Sequence, residues 1–390
     1  MTEATTPKRK PGNSAFKQQR LSACQPIITP KTVFPIFIAI ATIFSPLGGV
    51  LFYFDDKALE LSIDYTHCDT EALFEFSSIP VKYVTDSMIK SKSIPENQQH
   101  PKWKRSSITI LPNNKTVTQC SILFYIHKEM KPPVYLYYRL TNFFQNERGY
   151  ARSLDTDQLK GKAVNKDGLK RGGCKNLALY NNTIIYPCGL LANSMFNDTI
   201  GNLTLLDLNA PDALSLSTNI TYNFTYNGIA PPGAAAKYKP TTYNISQIRP
   251  PLNWELRYPN GTYTADYPPI DPSTDEHFQV WMHTAGLPIF RKTYGINETT
   301  PLQVGSYQIN INTVFPVKGY GGTKSIVIST PSLVGGKHPF PGIAYIVVGV
   351  LCGIIGIILA VESFFNSNKR RDRRYAAMQI GNSQKNIDSQ

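Results

Sequence analysis

The sequence predicts a membrane protein with two transmembrane helices and one large, mainly antiparallel, sandwich-like β domain with long loops. Three observations indicate this fold class. Two long segments lack charged residues, the basic residues are concentrated beside those segments, and the region between them combines strand-like patterning with sequons and cysteines. The same observations predict that the β domain is exoplasmic.

Two segments are long enough to cross a bilayer. Residues 32–54 and 339–361 each contain 23 positions without a charged residue, and a helix needs about 20 apolar residues for this. A cleaved signal peptide is the alternative for the first segment, but 31 mostly polar residues precede it and its apolar part is too long. A buried helix of a soluble protein is the alternative for the second, which its length and the basic residues after it disfavour.

The charges predict the orientation of the chain. Residues 1–31 and 362–390 contain 12 basic and four acidic residues, so these tails carry +8 of the net charge of +13. Because cytosolic flanks retain Lys and Arg, we expect both tails in the cytosol and residues 55–338 on the exoplasmic side. Nucleic-acid binding is disfavoured, since topology and anionic lipid head groups account for basic residues beside a membrane.

Sequons agree with this orientation. Nine Asn-x-Ser/Thr sequons lie within residues 55–338 and none lies in either tail. This distribution predicts surface asparagines that face the secretory lumen and carry N-linked glycans. The nine are Asn114, Asn181, Asn197, Asn202, Asn219, Asn223, Asn244, Asn260 and Asn297.

Four of the six cysteines lie in the same region: Cys68, Cys120, Cys174 and Cys188. An even number in an oxidising compartment predicts two disulfides, with three possible connectivities. Of these we favour the pairing of sequence neighbours, Cys68 with Cys120 and Cys174 with Cys188. Cys24 and Cys352 are expected to be free thiols, and acylation is an alternative for Cys24.

Short runs of β-branched and aromatic residues predict strands at residues 134–140, 280–282, 307–315 and 325–329. In the third run Tyr307, Ile309 and Ile311 alternate with polar residues, as in a half-buried strand. Residues 231–272 contain nine prolines and predict an ordered surface connection, held to the domain by its aromatic residues.

No arrangement typical of catalysis or metal binding is found. Zinc-protease, nucleophile-turn and Cys-x-x-Cys motifs are absent, and the six histidines are scattered. The segment KGYGGTKS, residues 318–325, is similar to a phosphate-binding loop, but Thr323 precedes Lys324 where that motif requires Gly, so a glycine-rich turn is expected. Asp275 and Glu276 are expected to be surface charges at a strand, facing opposite ways. The sequence predicts no enzyme, cofactor or metal.

The second span carries a Gly-x-x-x-Gly pattern at Gly349 and Gly353. Small residues at this spacing form a groove that another helix can approach closely, so we expect a partner helix there. The alternative is that the groove packs against the first span of this chain. Neither span contains a charged residue or a histidine, which disfavours an ion pathway through this chain alone.

Several long motifs now show a resemblance to a known family. They include NSAFKQQRLSACQPIITP (13–30), YLYYRLTNFFQNERGYARSLDTDQLKG (135–161), YPCGLLANSMFNDT (186–199), DEHFQVWMHTAGLPIFRKTYG (275–295) and NTVFPVKGYGGTKSIVIST (312–330). With these motifs the chain resembles the cell division control protein 50 family. Members of this family are the accessory, or beta, subunits of type IV P-type ATPases that flip phospholipids.

The resemblance implies a partner ATPase in a heterodimer, with the chemistry on the partner, since this chain has no Asp-Lys-Thr-Gly phosphorylation motif. It implies a role in folding, endoplasmic reticulum exit and the transport cycle of that ATPase, in the endoplasmic reticulum, Golgi and endosomal system or plasma membrane. It places the disulfides at the four cysteines above. The partner-binding residues it implies are Phe16, Lys17, Arg20, Pro187, Gly189 and Asn193, to which the span adds Gly349 and Gly353.

A two-span ligand-gated ion channel subunit is the alternative function. ATP-gated trimeric channels share two spans, inward tails and a disulfide-bonded outer domain. Four exoplasmic cysteines are few for that class.

Overall fold

The computed structural model describes Ser14, Phe16, Lys337 and residues 30–89, 100–110, 113–206, 220–331 and 339–387, of which residues 30–32, 176 and 366–387 are described by their backbone alone. The chain divides into two compact units. One contains residues 1–53 and 339–390, and the other contains residues 54–338.

The first unit, the membrane unit, contains two long helices, α1 (Pro30–Lys57) and α8 (Phe340–Ile387). Val33–Lys57 and Phe340–Phe365 within them are long and apolar enough to span a membrane, with mean hydropathies of 2.0 and 2.8. Two candidate spans therefore lie where the sequence predicts them. Helix α8 continues beyond its apolar segment through most of the basic C-terminal tail.

The second unit, the β domain, contains short helices and many strands. The helices are α2 (Cys68–Glu71), α3 (Arg148–Ala151), α4 (Thr156–Leu159), α5 (Lys166–Arg171), α6 (Leu190–Asn193) and α7 (Glu276–Met282). The strands are β1 (Glu60–Asp64), β2 (Ser77–Ser78), β3 (Val84–Asp86), β4 (Lys102–Ile110), β5 (Lys115–Ile126), β6 (Val134–Leu140), β7 (Leu179–Tyr180), β8 (Thr183–Ile185), β9 (Thr199–Ile200), β10 (Leu203–Leu206), β11 (Thr221–Tyr222), β12 (Ile248–Arg249), β13 (Phe290–Asn297), β14 (Gly305–Thr313) and β15 (Lys324–Ser329).

Two antiparallel sheets form the body of this domain, as the sequence predicts. One has the strand order β13-β6-β15-β1-β3, and the other has the order β11-β10-β14-β5-β4-β2 with β9 also paired to β14. A small third sheet, β12-β8-β7, contains the parallel pair β12 and β8. In the first sheet β1 and β15 pair along their length, from Glu60 opposite Ser329 to Asp64 opposite Ser325.

The predicted strands at residues 134–140, 307–315 and 325–329 are present as β6, β14 and β15. In β14, Tyr307, Ile309 and Ile311 are buried, as the alternation predicts. The proline-rich connection is ordered, with short 3-10 turns and with Tyr243, Trp254 and Tyr258 buried against the domain. Residues 318–323 form the turn before β15, in which Gly321 has a φ of 66°, and Lys324 and Ser325 begin that strand.

The strand predicted at residues 280–282 is wrong, because these residues end helix α7. Asp275 caps this helix through an Oδ1 that accepts the Phe278 N–H at 2.9 Å. All five residues from 278 to 282 are buried, so the segment has no alternation that could separate helix from strand. Glu276 is also more than a surface charge, since its carboxylate accepts the N–H groups of Gly228 and Ala230 at 3.0 and 2.8 Å.

Candidate functional site

The segment from Tyr186 to Thr199 is a hub of the β domain. A disulfide joins Cys188 to Cys174, and a second joins Cys68 to Cys120, with Cα separations of 5.6 and 6.1 Å. Both are the sequence-neighbour pairs that we favoured. Helix α6 begins at Leu190, two residues after Cys188, so the Cys174–Cys188 disulfide fixes the start of this helix.

Two buried tryptophans hold α6 from the side. The indole N–H of Trp254 donates to the Ala192 carbonyl at 3.0 Å, and that of Trp281 donates to the Leu191 carbonyl at 2.7 Å. These bonds go to carbonyls in the last turn of a short helix, where few intrahelical donors are left. The hub is therefore held by residues from the proline-rich connection and from α7.

The predicted partner-binding residues of this segment are mostly covered. Pro187 and Gly189 are buried. Gly189 has a φ of 99°, and a side chain there would contact the Ser153 carbonyl oxygen. Asn193 is half-buried, and its Oδ1 accepts the Asn253 N–H at 3.2 Å. Pro187 and Gly189 thus lie beneath the surface in this structure, while their neighbour Leu190 is exposed. Their role in partner binding stays a prediction.

A cavity of about 420 Å³ opens beside the hub. Seven of its lining residues are aromatic: Tyr138, Phe196, Trp254, Tyr267, His277, Trp281 and Tyr294. The Arg257 guanidinium, which also lines the cavity, pairs with Asp275 at 3.2 Å. Both the hub and α7 contribute to the wall, α7 through His277 and Trp281.

A buried ion pair lies next to the cavity. The Lys324 Nζ is 2.8 Å from Asp198 Oδ2, and the two side chains are 6% and 0% exposed. The same Oδ2 accepts the Tyr65 hydroxyl at 2.8 Å, while Oδ1 accepts the N–H groups of Val314 and Phe315. Burial, followed by the Asp198 charge, raises the pKa of Tyr65 well above its ordinary value. This network joins the hub to β1, β15 and the end of β14.

Two basic side chains belong to or contact α7: His277 lies in the helix and Lys292 lies at its end. Burial lowers the pKa of His277, which packs against the rings of Tyr226 and Tyr294. Lys292 donates to the carbonyls of Val280, Trp281 and His283 at 2.7 to 2.9 Å, and so caps the end of the helix. Burial lowers the pKa of Lys292 to about 7.

The described sequon asparagines lie at or near the surface. Five are exposed: Asn114, Asn181, Asn223, Asn244 and Asn260. Three are half-buried: Asn197, which lines the cavity, Asn202 and Asn297. The last two touch Asn223, since their Nδ2 groups donate to its Oδ1 and its carbonyl oxygen at 3.0 and 2.9 Å. Asn219 lies outside the described residues.

The glycines of the spans pack within the membrane unit. A Cβ on Gly342 would lie 2.9 Å from the Phe52 nitrogen, and one on Gly349 would contact Ser45. A Cβ on Gly353 would lie 3.6 Å from the Ala41 Cβ. The groove that we expected to receive a partner helix is therefore occupied by α1 of the same chain, the alternative considered above, because small residues on both helices let the backbones approach.

The N-terminal candidates are only partly described. Phe16 lies in a turn and is 77% exposed. Lys17 and Arg20 lie outside the described residues. Within the described part of the chain, no group of three His, Cys, Asp or Glu side chains could hold a metal ion.

The sequence analysis missed Asp198 and Lys324. Asp198 is the middle residue of the Asn197 sequon, where its identity carries no signal for glycosylation. Lys324 had a signal, because it begins a strand of six buried residues, and a lysine in such a strand requires a partner.

The architecture defines a class: an integral membrane protein with two candidate spanning helices and a large, disulfide-bonded antiparallel β domain between them. The model of the LEM3 (ligand-effect modulator 3) family / CDC50 family matches residues 51–369. The chain belongs to this family.

Curated relatives extend the match over nearly the whole chain. The phospholipid-transporting ATPase accessory subunit CRF1 of Saccharomyces cerevisiae is 39% identical over 368 residues, covering 94% of this chain and 88% of the relative. The phospholipid-transporting ATPase accessory subunit CDC50 of Chaetomium thermophilum is 37% identical over 371 residues, 93% and 89% of the two chains. Cell cycle control protein 50A of Bos taurus is 33% identical over 383 residues, 94% and 93% of the two chains.

Proposed function

We propose that this chain is the non-catalytic accessory subunit of a phospholipid-transporting P-type ATPase. It forms a heterodimer with the ATPase, supports its folding and exit from the endoplasmic reticulum, and assists phospholipid translocation from the exoplasmic to the cytosolic leaflet. The observation that carries the proposal is family membership over residues 51–369, together with relatives whose names state this role. The ion channel alternative does not fit this family.

The topology is part of the proposal. The tails, residues 1–31 and 362–390, lie in the cytosol, the spans are residues 32–54 and 339–361, and residues 55–338 are exoplasmic and glycosylated. The charge of +8 on the two tails and the nine sequons between the spans support it. Final residence is in the Golgi and endosomal system or the plasma membrane.

The architecture suits a bracing role. The β domain has a continuous core, two disulfides and a buried ion pair, all of which favour a single rigid conformation. Such a domain can hold the exoplasmic loops of an ATPase while the partner binds nucleotide and moves the lipid.

The test is affinity purification of the tagged chain from mild detergent, with peptide mass identification of what co-purifies, and deletion of the gene in the same host. We expect a type IV P-type ATPase in near-equal amount and, after deletion, retention of that ATPase in the endoplasmic reticulum. An ATPase that is active and correctly located without this chain would reject the proposal. Protease protection of both termini in intact cells checks the topology.

A further inference from the structure

Among the described residues, most of the outer edge of strand β4 has no pairing strand. On one side β4 pairs with β5 along its whole length, from Lys102 opposite Leu123 to Ile110 opposite Lys115. On the other side β2 covers only Lys102 and Trp103. The next bond on that side runs from the Arg105 N–H to the Leu73 carbonyl at 2.8 Å. Beyond it, no described segment pairs with residues 106–110 on the outer side.

The alternation of a strand identifies the free groups. Successive N–H groups point to opposite edges, and that of Arg105 points outward, so those of Ser107 and Thr109 point outward as well. Both residues are exposed. Within the described chain neither N–H has a backbone acceptor on the outer side. These two residues present a row of donors and acceptors to which another strand can bind.

Residues 106–110 of this edge carry neither a charged residue nor a proline as protection. Natural sheets guard an open edge with Lys, Pro, a bulge or a covering element. Residues 106–110 read SSITI, without a charge or a proline, and the pairing with β5 is continuous. Ile and Thr favour an extended backbone. The segment is suited to strand pairing, and no described segment pairs with its outer side.

The surroundings of the edge are basic and apolar. Strand β4 carries Lys102, Lys104 and Arg105 and no acidic residue. The described ion pairs include none of these three cations. The Arg105 guanidinium lies 4.8 Å from the centre of the Phe74 ring, and Leu73 and Phe74 are 61% and 70% exposed. Lys104 and Arg105 directly precede residues 106–110, so a segment that pairs there ends near two cations and two apolar side chains.

We propose that the β4 edge receives an extended, acidic segment from an exoplasmic loop of the partner ATPase, by strand addition. The backbone of that segment pairs with Ser107 and Thr109, carboxylates at its end lie near Lys104 and Arg105, and an apolar side chain packs on Leu73 and Phe74. A second copy of this chain fits poorly, because its own β4 carries no carboxylate that could pair with these cations. This inference rests on the proposed function.

Residue-resolved amide hydrogen exchange tests the proposal on the full chain, free and in complex with the co-purified ATPase. In the free chain we expect fast exchange at Ser107 and Thr109 and protection at Ser106, Ile108 and Ile110, whose N–H groups face β5. In the complex, exchange at Ser107 and Thr109 should slow by at least about tenfold.

Each other outcome overturns the inference. Fast exchange at Ser107 and Thr109 in an intact complex rejects it and leaves the accessory role standing. Slow exchange already in the free chain shows that a segment of this chain, such as the acidic residues 207–219, covers the edge. Failure of any ATPase to co-purify rejects both the inference and the proposed function.

Variants give a second readout. Ser107→Pro removes an outward N–H and leaves the bonds to β5 in place, and Thr109→Lys adds a guarding charge to the edge. Thr85→Lys is the matched control, because Thr85 is an exposed residue of β3, at the edge of the other sheet. We expect the first two to lower the ATPase recovered per chain by at least about threefold and the control to leave it unchanged. Equal recovery with all three would count against strand addition.

Discussion

The Asp198 carboxylate and the Lys324 ammonium form a buried ion pair between residues 126 positions apart in the chain. Asp198 lies in the hub and Lys324 begins β15, so the pair joins two parts of the β domain that no strand ladder connects directly. The N–H groups of Val314 and Phe315 and the Tyr65 hydroxyl complete the shell of the carboxylate.

Removing one partner of this pair should destabilise the domain strongly. Asp198→Ala leaves the Lys324 charge buried and unpaired, which costs about 3–5 kcal/mol of the free energy of unfolding. The Asn197 sequon survives, because its middle position accepts alanine. Lys162→Ala is the control, since the Lys162–Asp157 pair is 67% and 52% exposed and should contribute less than about 0.5 kcal/mol. Denaturant unfolding of the two variants beside the parent chain measures the difference, and equal losses would contradict the prediction.

His277 should make the β domain less stable in mild acid. Burial lowers its pKa below the ordinary value near 6.5, while Asp275 and Glu276 raise it and Arg257 lowers it further. As the pH falls below about 6.5, the unfolded chain takes up this proton before the folded chain does, so stability is lost until the folded-state pKa is passed. His277→Phe should reduce the fall in Tm between about pH 7.5 and about pH 5. His67→Phe, at a half-buried histidine beside Tyr83, is the control, and a fall that is the same in both variants would exclude His277 as the cause.

The shorter disulfide should hold the hub together. Cys174 and Cys188 are 14 residues apart, and in the chain-entropy model closing a loop of that length stabilises by about 3 kcal/mol. Replacing both with serine should lower the free energy of unfolding by that amount and expose α6. Hydrogen exchange reports this at Leu191 and Asn193, whose N–H groups bond the carbonyls of Ser153 and Gly189. The comparison is the variant in which Cys68 and Cys120 are both replaced with serine. In that variant we expect amide protection to be lost around the Cys68–Cys120 disulfide and not in α6. Unchanged exchange in α6 without its disulfide would contradict the role assigned to Cys188.

The packing of α1 on α8 can be tested by crosslinking. Because the Cβ positions of residues 41 and 353 lie 3.6 Å apart, Ala41→Cys with Gly353→Cys should form a disulfide, for which separations of about 3.5–4.5 Å are suitable. The background carries Cys24→Ser and Cys352→Ser. A protease site inserted within residues 207–219 allows the chain to be cut into two halves. Both native disulfides lie within the N-terminal half, so after cleavage the halves stay joined on a non-reducing gel only through the new disulfide.

Gly49→Cys in place of Gly353→Cys is the control for that experiment. Space around Gly49 is open, with nothing within 4 Å of its Cβ position, and Ala41 lies on the same helix. Halves that separate with the 41/353 pair would show that a different helix occupies the groove.

The sequence predicted much of the fold because its signals are local. The length of the two uncharged segments predicts the spans, and the alternation of apolar and polar residues predicts β14. Helix α7 was missed because five consecutive buried residues have no period to distinguish helix from strand. The Asp198–Lys324 pair depends on a contact between distant residues, which no spacing rule contains. The occupant of the glycine groove could not be settled either, because a small-residue face accepts any close helix and only the structure shows α1 against it.

The pairing of β1 with β15 has a mechanical consequence. The chain passes from α1 into β1 just before Glu60 and leaves β15 toward α8 just after Ser329, and these two residues are neighbours in the ladder. A force that draws the two helices apart therefore acts on the ladder from that end. It breaks the hydrogen bonds of the ladder one after another, and a strand pair resists this direction of loading least. Movement of α1 and α8 together places no such load on the ladder. The β1–β15 pair therefore tolerates joint movement of the two helices but resists their separation only weakly.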